Sequence, residues 1–85
     1  MDVFKYTDYR NLLRDWLANE KKMGRMNASR LAEKLRLHPS FISQVLKDNK
    51  DLSAEQWIEL CATMNVSEIE HDYLHFIFLR SRAGT

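Results

Sequence analysis

Residues Leu31–Leu46, Leu-Ala-Glu-Lys-Leu-Arg-Leu-His-Pro-Ser-Phe-Ile-Ser-Gln-Val-Leu, decide the fold. They read as two short amphipathic helices joined by a tight turn. Leu31, Ala32 and Leu35 are spaced to line one face of the first, and Phe41, Ile42, Val45 and Leu46 one face of the second. Leu37 falls in the connection, where an apolar side chain can plug the angle between the two helices. His38-Pro39 starts the second helix, because proline's fixed φ and missing N–H suit a first helical position. A helix this short, and this polar on its outer face, buries too little to be present for stability alone. The pair therefore reads as a helix-turn-helix unit at about residues 28–47. Its second helix, Pro39 to about Lys47, offers Ser40, Ser43, Gln44 and Lys47 to a DNA groove.

Outward from this stretch, capping residues and apolar spacing predict three more helices. Tyr9, Leu12, Leu13, Trp16 and Leu17 recur at helical intervals, so a first helix runs from about Asp8 to Lys22 with Thr7 or Asp8 as its cap. Gly24 ends it, and Asn27 or Ser29 caps the next helix, which finishes near Leu35. After Lys47 comes a turn, Asp48-Asn49-Lys50-Asp51, in which Asn49 is suited to the left-handed conformation that often closes a helix. Ser53-Ala54-Glu55-Gln56 is a capping-box sequence opening a fourth helix to about Met64, with Trp57, Leu60, Cys61 and Met64 inward. Ser67 caps a fifth, through Leu79 towards Arg82. The expected fold is all-α, five helices in one domain.

Length and composition agree. The 85 residues support one core, and two glycines and one proline leave little punctuation for a β fold. No apolar run of about 18 residues exists, so no membrane partner is expected. The N-terminus lacks signal-peptide architecture, and a single cysteine, set among Trp57, Ile58, Leu60 and Met64, suits a buried thiol in a cytoplasmic protein. The formal net charge is only +1, but its distribution is uneven. Residues 21–50 hold eight Lys or Arg against Glu33 and Asp48, whereas residues 51–72 hold six Asp or Glu and no Lys or Arg. The basic third contains the proposed helix-turn-helix, as attraction to phosphates requires.

Asn27 to Val66 resembles the lambda-repressor-like (Xre, phage repressor) helix-turn-helix family. The resemblance rests on Arg30-Leu31-Ala32-Glu33-Lys34-Leu35, Phe41-Ile42-Ser43-Gln44-Val45 and Met64-Asn65-Val66-Ser67. The opening Tyr6-Thr7-Asp8-Tyr9-Arg10-Asn11-Leu12-Leu13 and the closing Tyr73 to Thr85 resemble an uncharacterised bacterial family, which places such a unit before a longer helical region. The chain is then expected to be the N-terminal part of a longer protein. Two departures stand out. Arg36 occupies a place where repressors usually have glycine, at a cost of about 1 kcal/mol if the backbone there is left-handed. Asn49 stands where a second glycine is usual.

The resemblance implies sequence-specific binding of double-stranded DNA by a transcriptional regulator. Pro39, Ser40, Ser43 and Gln44 match base-contacting positions, and Gln44 could pair with adenine N6 and N7. Lys47 and Lys50 match phosphate contacts, Asn27 and Ser29 could bring backbone N–H groups to a phosphate, and Arg30 and Arg36 are expected as further phosphate contacts on a basic surface that Lys34 extends. Neither an enzyme nor a cofactor is expected, since no nucleophile–base pair, phosphate-cradling glycine loop or carboxylate dyad occurs. Glu68, His71, Asp72 and His75 share a helical face, but no third strong metal ligand lies near. The fifth helix is apolar nearly all round. Ile69, Tyr73, Phe76 and Ile77 are expected to close the core, leaving Leu74 and Phe78 as a homodimer interface or a seat for a missing segment. The competing reading is a protein-interaction module that uses the acidic surface of helices four and five.

Overall fold

The computed structural model describes residues 2–83; Met1, Gly84 and Thr85, the last two ending the family-like closing stretch, lie outside them. The described residues form five α-helices and no strand: α1, Tyr9–Lys22; α2, Ala28–Lys34; α3, Pro39–Leu46; α4, Ala54–Met64; and α5, Glu68–Ala83. A 3-10 turn, Val3–Lys5, precedes them. No helix among the described residues is long and apolar enough to cross a membrane.

Each helix starts where a side chain answers the unpaired N–H groups of a first turn. Asp8 accepts from the Arg10 N–H at 2.8 Å, and Asn27 accepts from the Arg30 N–H at 2.9 Å. Asn27, not Ser29, is therefore the cap of α2. The His38 ring accepts from the Ser40 N–H at 3.1 Å, ahead of Pro39 in the first turn of α3. Ser53 and Gln56 close a full capping box on α4. Ser67 and Glu70 close another on α5, with bonds of 2.8 and 3.2 Å. The Ser67 N–H donated to the Glu70 carboxylate holds that carboxyl below its ordinary pKa.

Three helices end in the same way. Gly24, Arg36 and Asp48 all have positive φ, at 72°, 59° and 63°. In each case the two N–H groups at the exit bond back to the last-turn carbonyls. Arg25 reaches Glu20 and Gly24 reaches Lys21; Leu37 reaches Ala32 and Arg36 reaches Glu33; Asn49 reaches Gln44 and Asp48 reaches Val45. This is the Schellman pattern, which needs a left-handed residue at one fixed offset from the last turn. It places Arg36 in the strained conformation anticipated for it. It also corrects the expectation at Asn49: the left-handed residue is Asp48, one position earlier, because the hydrogen-bond register and not side-chain preference selects it.

Buried residues come from all five helices. Tyr9 of α1, Trp57 of α4 and Phe78 of α5 meet at its centre, with ring centroids 5.1–5.2 Å apart. Trp57 and Phe78 are stacked within 5° of parallel, and Tyr9 meets both edge-on. Cys61 is buried alongside, and desolvation pushes its thiol pKa up to about 12, so it behaves as a small apolar residue.

The face of α5 that closes this core is the expected one only at Ile77. Leu74 and Phe78, anticipated as an outward oligomer interface, are fully buried together with Ile77. Ile69 and Phe76, anticipated in the core, are exposed, and Tyr73 is half-buried. With apolar side chains nearly all round, local periodicity cannot choose a stripe. The choice is made by α1 and α4, which present Tyr9 and Trp57 to Phe78. Tyr73 instead packs against Phe4, ring centroids 5.3 Å apart and tilted by 53°, and donates its hydroxyl to the Tyr6 carbonyl. The N-terminal turn is thereby tied to α5.

Arg10 fastens α3 to α1. Its guanidinium donates to the Val45 carbonyl at 3.0 Å and the Lys50 carbonyl at 3.2 Å, and pairs with Asp48 at 3.2 Å and with Asp51. Arg14, one turn on, donates to the Leu46 carbonyl. Asp48 and Asp51 are largely exposed, so those ion pairs contribute little, and most of the stabilisation comes from the charge-assisted bonds to carbonyls. Arg10→Met is expected to cost about 2 kcal/mol in urea denaturation. A loss under about 0.5 kcal/mol would mean that α3 is held by its apolar face alone.

Candidate nucleic-acid interface

On α3, successive side chains step round the axis by about 100°. Phe41, Ile42, Val45 and Leu46 occupy one side, with Ile42 and Val45 fully buried. The opposite arc carries Pro39, Ser40, Ser43 and Gln44, and Lys47 continues it at the C-terminal end. Pro39, Ser40, Ser43 and Lys47 are exposed and Gln44 is half-buried. The four positions expected to contact bases thus lie on one surface strip, and Lys47 shares it.

The hydroxyl of Ser40 is engaged with the His38 ring. His38 Nδ1 accepts the Ser40 backbone N–H at 3.1 Å, and the Ser40 Oγ lies 2.8 Å from the same nitrogen. Ser43 makes no such bond and can donate or accept. The strip therefore offers a His38-held hydroxyl at Ser40, a free hydroxyl at Ser43, a carboxamide at Gln44 and a cation at Lys47.

On α2, Leu31 and Ala32 are buried against the core while Ser29, Arg30, Glu33 and Lys34 face outward. Asn27 and Ser29 line a groove of about 410 Å³ with Leu17, Ala18, Lys21, Ala28 and Leu46. The Asn27 side chain is already engaged with the Arg30 N–H as the helix cap. Its role at the groove is to hold the start of α2 in place. Arg36 and Lys50 are exposed in the turns that follow α2 and α3.

The electrostatics follow from which charges are paired. Among the described residues, Arg25 is the one cation of the 21–50 stretch in an ion pair, with Glu20. Lys21, Lys22, Arg30, Lys34, Arg36, Lys47 and Lys50 all lie exposed without an acidic partner. Asp48, one of the two acids in this stretch, pairs instead with Arg10, a cation supplied by α1. Arg10 thus removes an opposing charge from beside Lys47 as well as fastening the helix. Sequence reasoning missed Arg10 and Arg14, since their partners lie 32 to 41 residues away and no local pattern signals them.

Elsewhere, His71 and His75 stack with centroids 6.5 Å apart beside Ile58 and Asp72. Among the described residues, no three His, Cys, Asp or Glu side chains are grouped to hold a metal ion. Comparison of the chain with protein-family models, curated proteins and solved structures gave no match.

Proposed function

We propose that the chain is a helix-turn-helix DNA-binding module of a bacterial transcriptional regulator in the cytoplasm. In this reading α2 and α3 form the motif, α3 enters the major groove, and the surrounding cations lie along the phosphates. The observation that carries it is the outer strip of α3. Small polar groups at Ser40, Ser43 and Gln44 lie on the side of α3 opposite its buried Ile42 and Val45. Seven exposed cations of the same third of the chain, without an ion-pair partner among the described residues, supply the sequence-independent attraction. Selection of bound DNA from a random duplex pool at moderate salt tests it, with enrichment of a motif expected.

Gln44 then reads a base. Gln44→Ala is expected to weaken binding to the selected site by about 1 to 3 kcal/mol and to relax preference at one base pair. Equal weakening on selected and scrambled duplexes would assign Gln44 to the backbone or to packing instead.

A second reading draws on the other pole. Ile58 is exposed on α4 between Glu55 and Glu59, and it lines a hollow of about 270 Å³ with His71, Asp72 and His75 of α5. An apolar knob ringed by acids suits a basic protein segment. A pool that yields no motif, with binding of basic peptides abolished by Ile58→Asp, would favour this reading.

A further inference from the structure

Helix α5 is apolar on two sides, and only one is used by the core. Leu74, Ile77 and Phe78 are buried, yet Ile69, Phe76 and Leu79 are 72%, 57% and 49% exposed. On a helical projection Ile69, Asp72, Phe76, Leu79 and Arg80 fall within one arc of about 100°, opposite the buried trio. Three large apolar side chains on one exposed helix face form a patch that a small domain seldom carries without a partner.

The charges in this arc identify the partner. Asp72 lies four residues before Phe76 and Arg80 four residues after it, each about 6 Å along the axis from the central ring. Neither makes an ion pair with another described residue of its own chain. We propose that this face pairs two copies of the chain, with their α5 helices antiparallel about a two-fold axis at Phe76. The axis sets Phe76 on its symmetry mate and brings Asp72 of each copy opposite Arg80 of the other, twice. A parallel pairing would oppose like charges, a basic partner would meet Arg80, and an acidic one would meet Asp72. A second copy satisfies both ends at once, which is the self-complementarity that a two-fold interface demands. One helix pair buries less than the roughly 1,200–2,000 Å² of a stable interface, so the dimer is a weak one, formed at micromolar concentrations.

Sedimentation equilibrium tests this without DNA, so the outcome is independent of the nucleic-acid reading. The mass of the wild-type chain is expected to rise towards twice the monomer value across the micromolar range. Phe76→Glu is expected to abolish the rise. Asp72→Arg and Arg80→Asp are each expected to weaken association about tenfold, by replacing two attractive pairs with two repulsive ones. The combined Asp72→Arg, Arg80→Asp chain is expected to recover it, since the charges again oppose across the axis. All of these side chains are exposed, so the helical circular dichroism should be unchanged, confirming that each variant is folded. A wild-type chain that stays monomeric at high micromolar concentration overturns the proposal and leaves the face to some other segment. Association indifferent to Phe76→Glu, or a double swap that fails to recover, overturns the antiparallel pairing.

Discussion

Phe78→Ala is expected to destabilise the chain by about 3–5 kcal/mol, enough to unfold much of it. A domain of this size has a total stability on the order of 5–10 kcal/mol, so one such loss consumes a large share. Phe78 is fully buried, 5.1 Å from Trp57 in a near-parallel stack and 5.2 Å from Tyr9. Its removal leaves a cavity where α1, α4 and α5 meet, and neither a backbone nor a large ring can collapse into it cheaply. Phe76→Ala, two residues earlier on the exposed face, is expected to change stability by no more than about 0.5 kcal/mol. Urea denaturation followed by circular dichroism measures both. Equal losses at the two positions would mean that the faces of α5 are not divided between core and solvent as described.

That contrast marks where the fold was legible from sequence and where it was not. The starts of all five helices were readable to within a residue or two, because a cap acts within three residues. Thr7 or Asp8 and Asn27 or Ser29 are alternatives in the sequence, while His38-Pro39, Ser53 and Ser67 stand directly before apolar periods. The inward faces of α1 through α4 were readable for the same reason, since polar residues delimit each stripe. In α5 nothing delimits the stripe. Ile69, Tyr73 and Phe76 are as apolar as Leu74 and Phe78, so only the neighbouring helices could decide between them. Asn49 was misplaced by one position because Asp and Asn both tolerate a left-handed backbone, and hydrogen-bond register separates them. Of the candidate site, the outer strip of α3 follows from the same periodicity that buries Ile42 and Val45. The anchoring of that helix by Arg10 does not. It depends on carbonyls exposed by the end of α3 and on acids brought in by the turn beyond it, and such long-range partners leave no trace in local spacing.

Binding of duplex DNA is expected to weaken by about 100-fold between 50 and 200 mM monovalent salt. Arg30, Arg36, Lys47 and Lys50 are the charged side chains assigned to phosphates, and all four lie exposed without an acidic partner among the described residues. Four phosphates neutralised per chain release their condensed counterions, giving a slope of log K against log salt of about −3.5. Were these cations tied up in surface ion pairs, binding would have to break those pairs first, and the slope would fall. Arg10 bears on this although it is placed to touch no phosphate. By engaging Asp48 it leaves Lys47 and Lys50 free to meet DNA. Lys47→Ala and Lys50→Ala are each expected to reduce the slope by about 1. Lys5→Ala, on the N-terminal turn packed against α5, should leave it unchanged. Fluorescence anisotropy of a labelled duplex at a series of salt concentrations reads all of these. A wild-type slope near zero would remove the nucleic-acid reading, and a slope altered equally by Lys5 and Lys47 would mean that diffuse net charge, not the surface around α3, holds the DNA.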